Sequence, residues 1–130
     1  MSETYETEKI FRQVLEAVEK RDLEAILEFY AEDVVIVDYT DPGNALRGKP
    51  AMAEIFQGLW GMFDDLSFEV LGLVADEDQL AVRMVGRGSV AGQSEPVELN
   101  YGGFLGFRDG RIASEHNYSD SRQLTGDATT

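Results

Sequence analysis

Residues 29–42, FYAEDVVIVDYTDP, change period in mid-stretch. Before them, Leu23, Ile26, Leu27 and Tyr30 recur at helical spacing, with Asp22 placed to cap the first turn. After them come four consecutive β-branched residues, Val34, Val35, Ile36 and Val37, which favour a strand over 34–39. Asp38 closes that run. It shares the phase of Val34 and Ile36, so in an alternating strand it points where they point, toward apolar surroundings.

Upstream, Ile10, Phe11, Val14, Leu15 and Val18 form a first amphipathic stripe, so two short helices precede the strand. Downstream, TDPGNALRGKP (40–50) carries two prolines and two glycines and reads as a loop. Pro50 suits the first position of a third helix, whose face carries Met52, Ile55, Phe56, Leu59, Trp60 and Phe63. The rest is strand-like. Segments 66–75, 79–90, 97–107 and 111–123 are joined by DED, AGQSEP and RDG, which are turn chemistry, and their order suits an antiparallel meander. Helices followed by strands, with one strand set early, give an α+β fold in which three N-terminal helices cover one face of a mostly antiparallel sheet. No repeat or linker divides the chain. A single domain over 1–124 and a disordered tail over 125–130 are expected.

Composition narrows the partners. Of 130 residues, 25 are acidic and 11 basic, for a formal charge of −14, which repels nucleic-acid phosphates and anionic lipid heads. Neither nucleic acid nor membrane is expected as a partner. The chain has no cysteine, so it has no disulfide framework and no thiolate metal site. No apolar run approaches ~18 residues and the chain opens on an acidic segment, so no membrane span or signal peptide is visible and a cytoplasmic location is expected. The acidic turn at Asp76–Asp78 lacks the ordered spacing of a calcium loop. No metal site is assigned.

Five pieces of the sequence carry a resemblance: RDLEAILEFYAEDVVIVD (21–38), RGKPAMAEIF (47–56), VRMVGRGSVAG (82–92), FRDGRI (107–112) and YSD (118–120). Together they resemble the nuclear transport factor 2-like superfamily, in its SnoaL-like polyketide cyclase and ketosteroid isomerase-like branch. The resemblance implies a cone-like fold whose helices and curved sheet enclose a cavity. It also implies a homodimer, a small hydrophobic organic ligand and no cofactor. Asp38 falls where the isomerases place their general base. Their oxyanion acids are missing, since Val14 stands for the tyrosine and Gly102 or Gly103 for the aspartate. Asn117 occupies the position of the last-strand aspartate of the limonene-epoxide hydrolases, with Arg83 matching their arginine but Val85 following it. Ser89-Val90 stands where the cyclases commonly carry Thr-His. Each relative's catalytic set is therefore incomplete here.

Which polar residues reach the cavity depends on the last hairpin. A three-residue loop, Arg108-Asp109-Gly110, pairs Phe107 with Arg111 and turns Glu115, Asn117 and Ser119 inward; a two-residue loop, Asp109-Gly110, brings in His116, Tyr118 and Asp120 instead. We take the three-residue loop, which matches the inward phase of the relatives. The pocket then has an apolar wall of Val14, Phe56, Trp60, Val82 and Met84, with Asp38, Tyr101, Glu115 and Asn117 as its polar groups. Asp38 as general base, with Tyr101 and Asn117 donating to a developing oxyanion, would serve an isomerase, cyclase or hydratase acting on a hydrophobic carbonyl compound. Each residue also has a plainer role. Asp38 could cap the following loop, Tyr101 and Trp60 could fill core volume, and Glu115 could be a solvated strand residue. A non-catalytic ligand-binding or assembly module is the competing function.

Overall fold

A computed structural model gives the fold and describes residues 4–39, 45–90 and 92–120. The elements run α1 (Glu6–Glu19), α2 (Leu23–Glu28), β1 (Tyr30–Asp38), β2 (Ala45–Arg47), α3 (Lys49–Met62), β3 (Phe63–Ala75), β4 (Gln79–Val90), β5 (Val97–Arg108) and β6 (Arg111–Ser119). The fold is mixed α+β, built on one six-stranded sheet in the order β2-β1-β6-β5-β4-β3. β3 to β6 form the antiparallel meander, and β1 joins β6 in parallel. The first and last long strands are therefore neighbours.

The helices sit where the apolar stripes put them. Asp22 caps α2 through a bond from the Ala25 amide at 3.2 Å, and proline stands in the first turn of α3. Ile10, Phe11, Val14 and Val18 of α1, Ile26 of α2, and Met52 and Phe56 of α3 share one core with Val34, Ile36, Leu80, Val82, Leu105 and Ile112 of the sheet. Among the described residues, the helices thus cover one face of the sheet. Arg21 helps fix the helices to it: at a left-handed φ of 57° just past α1, it donates to the carbonyls of Phe63 and Asp64 at 2.8 and 2.9 Å.

Three readings of the sequence need correction. The expected loop over 40–50 contains a short edge strand, β2, paired antiparallel with β1; residues 40–44 lie outside the described residues. Tyr30, placed by period on the second helix, opens β1, where the pairing with β6 is irregular between Tyr30 and Val35. The last hairpin turns on two residues, not three. Asp109 and Gly110 have φ of 54° and 76°, the pair of left-handed residues that a tight hairpin turn needs, and Arg108 pairs with Arg111. A bulge then restores the phase: Phe107 pairs with Ile112 but Gly106 with Ser114, so Ala113 is the extra residue. Beyond it Leu105 faces Glu115, Gly103 faces Asn117 and Tyr101 faces Ser119. The inward set is the expected one, reached by a different turn. The expected tail, 125–130, lies outside the described residues.

Candidate functional site

The helix-facing side of the sheet carries its polar groups in one patch where β1, β6 and β5 meet. Asp38 pairs with Asn117 and Ile36 with Glu115 across the parallel join. Of these polar groups, Tyr30 is buried and Glu115, beside it, is half-buried. Glu115 Oε1 accepts from the Tyr30 hydroxyl at 2.5 Å and its Oε2 from the Asn117 amide at 3.3 Å. Burial is the largest influence on this carboxyl and raises its pKa; the bonds from Tyr30 and Asn117 act in the opposite direction. Tyr30 is 2% exposed, and burial followed by the Glu115 charge lifts its phenol well above the ordinary tyrosine value.

Nearer the rim stands Tyr101. Burial first, and the Asp38 charge second, push its hydroxyl up to about 12. Its ring lies against Phe68, with centroids 6.4 Å apart. Gly86 makes this seat possible, because a Cβ there would stand 3.2 Å from the Phe68 ring and 3.4 Å from that of Tyr101. Asp38 keeps the inward phase but ends β1 as an exposed residue, so it stands at the lip rather than in apolar surroundings.

The expected apolar wall is distributed differently. Val14, Phe56 and Val82 belong to the close-packed core, at 4, 9 and 7% exposure. Trp60 and Met84 are partly buried at its margin, and the Trp60 indole donates to the Val18 carbonyl at 3.2 Å. The two concavities described, of about 470 and 520 Å³, open on the opposite, outer face of the sheet. They share Val74, Ala81 and Phe104. His116 lies on that outer face too, its Nδ1 3.0 Å from the Tyr39 hydroxyl. Arg83 pairs with Gly102 in the outward phase, so it does not join the inner patch as the hydrolase arginine would. In the acidic turn, Asp76 accepts from the amides of Asp78 and Gln79, which is turn capping.

Sequence reasoning brought Asp38, Tyr101, Glu115 and Asn117 to one face and missed Tyr30. These features define an α+β domain of nuclear transport factor 2-like fold with a polar patch on its helix-facing sheet surface. The chain belongs to the SnoaL-like domain family, whose model matches residues 11–115. Among solved structures it is similar to IdmH of Streptomyces antibioticus, a candidate polyketide cyclase, with 26% identity and a TM-score of 0.79 over 92% of this chain and 95% of that one. It is similar to AclR of Streptomyces galilaeus, a candidate hydroxylase, with 22% identity and a TM-score of 0.79 over 92% and 78% of the two chains. A third likeness is to an epoxide hydrolase of M. tuberculosis resembling limonene-epoxide hydrolase, with 16% identity and a TM-score of 0.75 over 93% and 87%. At these lower identities the likeness speaks to the fold. None of the curated proteins matches the chain.

Proposed function

We propose that this chain binds a small hydrophobic organic molecule against the polar patch at the lip of the helix-facing sheet surface, and isomerises or cyclises a carbonyl substrate without a cofactor. Asp38 takes a proton from the carbon next to the carbonyl. The electron pair moves onto the carbonyl oxygen, where Tyr101 and Asn117 supply hydrogen bonds, and the proton returns at a second carbon. The observation that carries this reading is the register that sets Asp38 beside Asn117 across the β1–β6 join and the half-buried Tyr101 on the same face of the neighbouring strand, two residues from the Gly103 that pairs with Asn117. A donor and a base side by side at a lip are what enolisation requires.

The test needs no knowledge of the product. In D2O, general-base enolisation exchanges the α-hydrogens of a probe such as 1-tetralone, which NMR follows directly. The wild-type protein should accelerate exchange over buffer, and Asp38→Asn should lose ~10²-fold of the acceleration while keeping the fold. Binding of the probe without exchange would support the second reading, a non-catalytic ligand-binding module. That reading is favoured by the missing oxyanion acids, since Val14 and Gly102 or Gly103 stand where the isomerases carry them.

The protein is further proposed to act as a homodimer joined through the outer sheet face. Phe104, Tyr118 and Val74, at 57, 46 and 75% exposure, support this, as does the stack of Tyr39 on Tyr118 at 4.5 Å.

A further inference from the structure

Asn117 has two faces to offer a ligand, and its neighbours decide which one it shows. We propose that Glu115, held by Tyr30, acts as a positioning residue whose proton sets the orientation of the Asn117 amide, and so whether the site presents a hydrogen-bond acceptor or a donor. The meaning of this for ligand choice rests on the function proposed above; the switch itself does not.

The geometry starts from Tyr30. Its buried hydroxyl has one acceptor, Glu115 Oε1, so that oxygen stays an acceptor in both protonation states. A proton arriving on Glu115 is therefore carried by Oε2, the oxygen that faces Asn117. While Glu115 is ionised, Oε2 can only accept, and Asn117 must turn its NH2 toward it. The amide oxygen then lies over β5, 3.2 Å from where a Cβ on Gly103 would be. Once Oε2 carries a proton it must donate, and Asn117 Oδ1 is the acceptor within reach. The amide turns over and shows its NH2 above Gly103. The bare Cα of Gly103 leaves room for either end.

Few other groups can drive this. Tyr30 and Asp38 are the titratable side chains that face Glu115 from β1, and Tyr101 the one from β5; β4 contributes Leu80 and Val82. The helices packed over this face place a single buried polar side chain among the described residues, Thr7, which bonds to the Asp76 carbonyl instead. An ionised Glu115 suits a ligand that donates, such as an alcohol, enol or amine. A protonated Glu115 suits a carbonyl or oxyanion.

The experiment uses ligand-free, 13C,15N-labelled protein. NMR follows the Glu115 carboxyl carbon, the Asn117 side-chain amide pair and the contact between that amide and the Gly103 Hα as pH is varied. The amide signals should titrate with the Glu115 carboxyl, and the contact to Gly103 should appear on the acid side only. Tyr30→Phe removes a donor to the carboxylate and should move both midpoints upward together. Glu115→Gln should abolish the amide titration and fix the acid-side contact. Amide signals that stay still while Glu115 titrates would overturn the proposal, as would a titration that survives in Glu115→Gln, since Asp38 would then be its source. Either failure leaves the deuterium-exchange test of Asp38 untouched.

Discussion

At the scale of single residues, Glu115 links the site to stability. Burial raises its folded pKa above that of an unfolded glutamate, so between the two values the folded state holds a proton that the unfolded state has released. The protein should therefore be relieved of this cost below the ordinary glutamate pKa and lose stability as pH rises through the raised value. Glu115→Gln keeps an acceptor for Tyr30 and removes the ionisation. It should be more stable than wild type by on the order of 1 kcal/mol at neutral pH, with the difference vanishing in acid. Urea melts across that pH range read the result, and a constant difference would contradict it. Tyr30 could not be read from the sequence because it fits the helical phase of Leu23, Ile26 and Leu27. The irregular pairing between Tyr30 and Val35 also hides the strand alternation that would have claimed it. Asp38, by contrast, was placed by alternation alone, although its exposure was not, since a strand's end decides how much water a side chain meets.

Among the elements, β6 shows how a misread turn can leave the faces right. The tripeptide Arg108-Asp109-Gly110 is compatible with two loop lengths, and propensity alone does not choose between them. The extra residue at Ala113 shifts the strand by one place and cancels the difference, so the inward set of Glu115, Asn117 and Ser119 follows from either turn once the bulge is counted. Bulges carry no fixed composition, which is why this one was invisible. Deleting Ala113 should then be tolerated, at a cost of about 1 kcal/mol, because every pair on either side of it is kept. Deleting His116 should cost roughly 3 kcal/mol or more, because it throws Asn117 and Ser119 out of phase with β5. Chemical denaturation of the two deletions distinguishes them, and equal losses would mean that the bulge is needed for its bend rather than for its phase. The meander itself was legible: β4 spans the expected 79–90, and β5 runs one residue beyond the expected 97–107.

On the scale of the whole molecule, helices roof one sheet face and, among the described residues, none covers the other. A chain of charge −14 repels its own copies, so an outer-face dimer has to overcome that repulsion with apolar contact. Its association should strengthen as salt screens the charge. Phe104→Lys puts an ammonium in the middle of the exposed aromatic group and should yield a monomer by analytical ultracentrifugation, with the thermal melt of the monomeric fold little changed. A wild-type protein that sediments as a monomer at 100 µM would remove the dimer. No helix among the described residues is long and apolar enough to cross a membrane. The parallel join of β1 to β6 has a kinetic consequence as well. Tyr30 and Glu115 stand 85 residues apart in sequence, and closing a loop of that length costs about 4 kcal/mol of chain entropy before any contact repays it. The meander can assemble from local hairpins, but Glu115 meets Tyr30 only when the sheet finally zips against its first strand. The Tyr30–Glu115 contact should thus be among the last to form as the chain folds, and a half-folded chain should lack the assembled polar patch.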